Sequence, residues 1–161
     1  GGGEYTCFLN GNENACTPEM FVRYAQIAAL MPVMQFSASP WRVLPEADFQ
    51  KVKDALALRE KCLPEILKAV ECAKVTGEPI VRSMEFVFPG QGMERVMDQF
   101  MVGEDLLVAP VWKQGEVARS VRLPEGQWRC VGLGETEGDV LNGGRDVILG
   151  ENEGLVVLKR V

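Results

Sequence analysis

The chain has no histidine in its 161 residues. That absence removes Ser-His-Asp and Cys-His nucleophilic catalysis and most catalytic zinc sites, so any chemistry carried by this segment alone has to rest on carboxylates or cysteine. The five cysteines, Cys7, Cys16, Cys62, Cys72 and Cys130, are odd in number, scattered and without a CxxC pair. They point to free thiols in a reducing compartment, the cytoplasm being favoured, rather than to a disulfide framework or a zinc cluster. A Cys7–Cys16 pairing across FLNGNENA is disfavoured on the same ground. Positive charge is also short: 17 Lys and Arg against 23 Asp and Glu leave a net charge of -6. This balance repels phosphate backbones and anionic lipid, so neither nucleic acid nor a membrane surface is expected as a partner. A neutral carbohydrate suits it better, and no cofactor is expected. The longest apolar run, 27–36, is broken by Pro32 and Gln35 and is too short for a hydrocarbon core of about 30 Å. No basic segment followed by an apolar run opens the chain, so no signal peptide is visible.

What is present changes character near residue 77. GGGEYTCFLNGNENAC at the start is loop chemistry. Thr17, Pro18 and Glu19 supply an N-cap, a proline at the first helical position and a first-turn acid, predicting a helix over 18–31 with Phe21, Tyr24, Ile27, Ala28 and Met31 on one face. VMQFS at 33–37 has the length and composition of a short buried strand. A helix is expected from Asp48 to Thr76, bearing Phe49, Val52, Leu56, Leu63, Ile66, Leu67, Val70 and Ala73, kinked or divided by Pro64 and ended by Gly77. Beyond it the sequence is mostly β. PIVRSMEFVF reads as strand, 93–100 as at most two helical turns, and DLLVAPVW as strand. ARSVRLPEGQWRCV gives two strands around a Pro-Glu-Gly turn, and the remainder is strand and turn. One short strand between two helices is an incomplete layer, so the first part is expected to be the end of an α/β unit that precedes a β-domain.

Three long runs carry a family resemblance: EMFVRYAQIAALMPVMQFSASPW, ALREKCLPEILKAVECAKVTGEPIVRSMEFVFP and DQFMVGEDLLVAPVWKQGEVARSVRLPEGQW. They resemble glycoside hydrolase family 31 over roughly residues 1 to 130, and TGEPIVRSMEFVFP and DQFMVGEDLLVAPV are its most specific strings. The resemblance implies the last βα units of a (β/α)8 barrel over 1–77, with helix seven, strand eight and helix eight, followed by a proximal C-terminal β-sandwich over 78–161. It implies a retaining α-glycosidase, in which one aspartate attacks the anomeric carbon and another serves as acid then base, with carboxyl groups about 5 to 5.5 Å apart. In the family both lie on earlier barrel strands, so no catalytic residue is assigned here and the segment alone is expected to be inactive. GGGEY and MQFSASPW are most similar to the myogenesis-regulating glycosidase branch, which implies α-galactoside rather than α-glucoside hydrolysis.

Barrel enzymes place their chemistry at the C-terminal ends of strands. The substrate-binding candidates implied are Gln35, Phe36 and Ser37 at the end of the presumed strand eight, Trp41 in the following loop, and Glu4 in the glycine-rich loop after the presumed strand seven. Gln35 offers donor and acceptor to sugar hydroxyls, and Trp41 an indole face. The commoner family pattern has Arg and His around these places, so Gln35 and Ser37 put ordinary α-glucosidase specificity in doubt. Against these stand plainer roles: Gln35 satisfying backbone groups, Trp41 packed under its loop, Glu4 as a solvated acid. Arg82 and Asp98 are expected in structural ion pairs, Glu104 and Asp105 in a solvated turn, and Trp112 and Trp128 in core or interdomain packing. The expected partners are a carbohydrate substrate and the N-terminal remainder of the same enzyme, and the isolated piece is expected to self-associate. The alternatives are a carbohydrate-binding or interaction module without catalysis, and an independent carboxylate enzyme, for which none of the 23 acids stands out by motif.

Overall fold

The computed structural model describes residues 16–132, 138–149 and 154–161. Helix α1, Pro18–Ala29, begins where the capping chemistry places it, with the Thr17 hydroxyl accepting from the Met20 N–H at 3.2 Å. Its buried face carries Phe21, Val22, Ala25 and Ala29, whereas Tyr24 is exposed. The expected face is thus rotated. Glu19, Arg23 and Gln26 mark a narrow polar stripe that leaves a broad apolar remainder, and the small Ala25 and Ala29 sit where α1 meets its neighbour. A short helix α2, Pro40–Val43, leads to α3, Glu46–Thr76.

Helix α3 runs unbroken through Pro64, which lies on its exposed side, so the carbonyl deprived of a donor, that of Glu60, is on solvated surface. Gly77 ends the helix at φ 76°, a left-handed conformation that costs glycine little. The buried stripe is Val52, Ala55, Leu58, Cys62, Ile66 and Ala69, while Leu56, Leu63 and Leu67 are exposed. Small residues win the interior because the sheet comes close: a Cβ on Gly103 would stand 3.1 Å from the Ala69 Cβ.

Eight strands follow: β1 Val81–Ser83, β2 Phe100–Val102, β3 Leu106–Pro110, β4 Arg119–Leu123, β5 Gln127–Cys130, β6 Val140–Asn142, β7 Arg145–Leu149 and β8 Leu155–Arg160. Six form one antiparallel sheet in the order β1-β2-β3-β8-β5-β6, and β4 pairs with β7 in a second. Alternation along the strands distributes the core. Val102, Leu106, Val108, Leu155 and Val157 join Ala55, Leu58, Cys62, Ile66 and Ala69 of α3 in one cluster. Their neighbours Met101, Leu107, Ala109, Val156 and Leu158 join Val121, Leu123 and Trp128 in another, closed by Val147 and Leu149. The large sheet is therefore a middle layer, with helices on one face and a two-stranded sheet forming a β-sandwich on the other.

Several expectations are corrected. Residues 33–37 have no strand partner among the described residues, and a strand exists only by pairing. In PIVRSMEFVF the strand stops at Ser83, whose hydroxyl accepts from the Phe86 N–H at 3.3 Å and starts the one-turn helix α4, Met84–Val87. Residues 93–99 form turns, not helix. Trp128 is core, but Trp112 is 57% exposed. Arg82 pairs with Glu78 at 3.0 Å and Glu104 at 3.5 Å, and Asp105 with Lys68 of α3 at 2.5 Å, so the Glu104–Asp105 turn is bound to its surroundings rather than merely solvated.

Long polar side chains fasten the layers. Arg59 of α3 donates to the carbonyls of Ala29 (2.7 Å), Met31 (2.6 Å) and Pro32 (3.2 Å), capping α1, whose last turn holds no basic residue of its own. Arg23 of α1 pairs with Glu19 at 2.7 Å and donates to the carbonyls of Val111 (2.5 Å) and Glu116 (2.6 Å). Glu19 in turn accepts from the Gly115 N–H at 2.9 Å. The Gln99 amide donates to the Arg122 carbonyl at 2.8 Å and accepts from the Arg122 N–H at 3.0 Å, taking the place of a strand beside β4. Arg119, its side chain 6% exposed, pairs with Asp98 at 2.6 Å and donates to the carbonyls of Asp98 (2.6 Å) and Pro110 (2.7 Å).

Arg119→Met leaves the Asp98 and Pro110 carbonyls unsatisfied. It is predicted to cost about 3 kcal/mol, read as a lower midpoint in urea. Glu19 is held below its ordinary pKa by the Gly115 N–H and the Arg23 guanidinium. A depressed carboxylate stabilises the fold above its unfolded pKa, near 4.5, and loses that contribution as pH falls through the folded value. The thermal midpoint of Glu19→Gln is therefore predicted to lie below wild type at pH 7, the gap closing as pH drops below 4.5; a gap constant with pH contradicts the assignment.

Candidate functional site

Residues 33–39 lie between two prolines, Pro32 and Pro40, and pack along the groove formed by α1 and the first turns of α3. Burial alternates along them. Met34, Phe36 and Ala38 pack with Phe21, Val22, Ala25 and Val52, while Val33, Gln35 and Ser37 are exposed. This two-residue alternation puts Gln35 and Ser37 on the same, outward side of the segment. Phe36, expected among the substrate contacts, instead packs inward, its ring parallel to that of Phe21 with centroids 6.0 Å apart and planes within 2°.

Ser39 precedes α2, where Pro40 takes the first helical position and Trp41 follows it. The indole of Trp41 meets Phe49 of α3 edge-on at 6.5 Å, and the ammonium of Lys53 sits over Phe49 at 4.8 Å. Trp41 is 67% exposed. It is therefore steadied on one side and open on the other, as a stacking platform requires. The structure places Gln35, Ser37 and Trp41 on one short stretch of chain; Glu4 lies outside the described residues.

The Cys62 thiol is pushed up to about 11, first by burial and then by the Glu65 carboxylate, which keeps it protonated and unreactive. Among the described residues no group of three or more His, Cys, Asp and Glu side chains is placed to hold a metal ion. Glu19, Glu65, Asp98, Glu104 and Asp105 are all engaged by cations. Among the described residues no helix is long and apolar enough to cross a membrane.

Two clefts that sequence reasoning missed flank the Glu19–Arg23 pair. One, of about 380 Å³, includes Gln26, Asp48, Lys51 and Glu116 beside Val22 and Val117 in its lining. The other, of about 370 Å³, is lined by Met20, Tyr24, Ile27 and Trp112 with Thr17 and Gln114. The second was hidden because Tyr24 and Trp112 both read as interior residues. Only the outward turn of α1 and the fastening of residues 111–116 by Arg23 bring them together.

Residues 77–147 match the glycosyl hydrolase family 31 C-terminal domain. The chain is 39% identical over 112 residues to the myogenesis-regulating glycosidase of Mus musculus, covering 69% of this chain and 16% of that protein. It is 30% identical over 132 residues to an alpha-glucosidase of Saccharolobus solfataricus, covering 78% of this chain and 18% of that one. In structure it is similar to a family 31 alpha-xylosidase from a soil metagenome, crystallised with xylose, at a TM-score of 0.76 and 29% identity, over 89% of this chain and 25% of that one. The chain thus spans less than a fifth of these curated relatives. Its fold, its sequence and its matched domain agree: the chain belongs to glycosyl hydrolase family 31.

Proposed function

We propose that this chain is the C-terminal part of a retaining α-glycosidase, and that its role in the reaction is to hold the sugar rather than to break the bond. Residues 1–77 are read as the end of the catalytic (β/α)8 barrel and 78–161 as the proximal β-sandwich. The observation that carries this reading is the alternation of 33–38, which turns Gln35 and Ser37 to the same exposed side at the segment read as the last barrel strand. Their amide and hydroxyl then meet hydroxyls of a terminal α-linked sugar, and Trp41 borders its rim. The nucleophile and the acid/base are aspartates contributed by the part of the enzyme that precedes residue 1. The exposed Leu56, Leu63 and Leu67 along α3 support this, because they form a surface that further barrel elements would cover. Gln35 and Ser37, standing where the commoner pattern has Arg and His, argue against an ordinary α-glucosidase, and the likeness of GGGEY and MQFSASPW to the myogenesis-regulating glycosidase branch favours galactose as the terminal sugar.

A second reading, carbohydrate binding without catalysis, draws on Tyr24 and Trp112, which border one cleft and are 49% and 57% exposed. It predicts glycan binding by the 161-residue chain alone, abolished by Trp112→Ala.

The leading reading is tested on the full-length protein with paired aryl α-galactoside and α-glucoside substrates. The galactoside is expected to be cleaved faster, the first product released being the α-anomer by NMR, while the 161-residue chain alone releases none. Release of the β-anomer, or hydrolysis by the chain alone, overturns it.

A further inference from the structure

Gln35 and Ser37 face outward together because something fixes the phase of the alternation along 33–38. A slip of one residue would turn Met34, Phe36 and Ala38 outward and bury the polar pair. Phe36 is the largest inward side chain of the three, and its ring rests parallel on that of Phe21, 6.0 Å away. Phe21 is itself 1% exposed, between Val22, Ala25 and the Val52 side chain of α3. The helix that carries it is held at both ends: Arg59 grips the carbonyls of Ala29, Met31 and Pro32, and Arg23 ties the first half to residues 111–116. The floor under Phe36 is therefore fixed, and the two prolines at 32 and 40 limit how far the segment between them can shift.

We infer that Phe21 and Phe36 are positioning residues, whose stacked rings set the side on which Gln35 and Ser37 are presented to the sugar. The inference rests on the substrate-contact reading above. Neither ring touches substrate; each acts through the polar pair. An offset parallel stack is directional as well as apolar, so an aliphatic side chain fills the volume without fixing the angle. Loosening the segment weakens a contact made equally in the ground and transition states, which raises KM and leaves kcat in place.

The test uses the full-length enzyme with the same aryl α-glycosides, comparing wild type, Phe21→Leu, Phe36→Leu, Gln35→Ala and the double variant Phe21→Leu/Gln35→Ala, with thermal midpoints measured alongside. Phe21→Leu is expected to raise KM roughly threefold or more with kcat near wild type, Phe36→Leu to do the same, and the double variant to show the KM of Gln35→Ala alone, as coupled residues do. If Phe21→Leu and Phe36→Leu lower only the thermal midpoint, or if the KM effects multiply in the double variant, the rings are core residues and the inference fails while the site stands. If Gln35→Ala and Ser37→Ala both leave KM unchanged, the substrate-contact reading itself fails, and the inference with it.

Discussion

The structure depends on one sheet whose two faces are both buried. Strands β2, β3 and β8 send alternate side chains to opposite sides: Leu106, Val108 and Val157 go toward α3, and Leu107, Ala109, Val156 and Leu158 toward the sandwich core. All five residues of β3 are buried. Fully burying a single Leu or Val contributes about 1.5–3 kcal/mol, so neither layer can leave the sheet without exposing a row of such residues. The helical layer and the sandwich are consequently joined through a shared wall rather than a hinge. The segment at 33–38 inherits its position from that wall through α3 and α1.

Apolar burial sets the layers, but it does not set their orientation. That task falls to arginines and one glutamine with little solvent around them. Arg59 aligns the end of α1 with α3, Arg23 aligns its beginning with the connection before β4, and Arg119 and Gln99 align β4 with the large sheet. Ion pairs of Lys68 with Asp105 and of Lys159 with Glu65 fasten α3 to the sheet. Guanidinium groups suit this work because each satisfies several carbonyls in fixed directions and keeps its charge at every accessible pH. The segment at 33–38 is thus held by a chain of directional contacts that begins far from it.

The parts of the fold legible in the sequence are those written in local chemistry. Thr17-Pro18-Glu19 starts a helix and Gly77 ends one, because caps and left-handed turns need only adjacent residues. LLVAP reads as a buried strand because both of its faces are apolar. What was not legible was decided by partners distant in sequence. The buried face of α1 was chosen by α3, the exposure of Trp112 followed from how Arg23 fastens residues 111–116, and the Glu104–Asp105 turn was claimed by Lys68 and Arg82. At residues 33–37 the composition of a strand was present, but strand pairing needs neighbours, and none lies among the described residues. Gln35, Ser37 and Trp41 could be singled out through family resemblance alone; the side on which the first two emerge required Phe21, twelve residues before the segment begins.

The central claim is that this chain supplies sugar-holding groups to an active site whose carboxylates come from elsewhere in the same enzyme. The most direct measurement is a crystal structure of the full-length protein with a bound monosaccharide or aza-sugar. The account predicts the Gln35 amide within hydrogen-bond distance of a ring hydroxyl, Ser37 on the same side of the pocket, and two aspartates from outside these 161 residues flanking the anomeric position. A sugar bound with Gln35 and Ser37 turned away from it, or flanked by acids of this chain, would contradict the account.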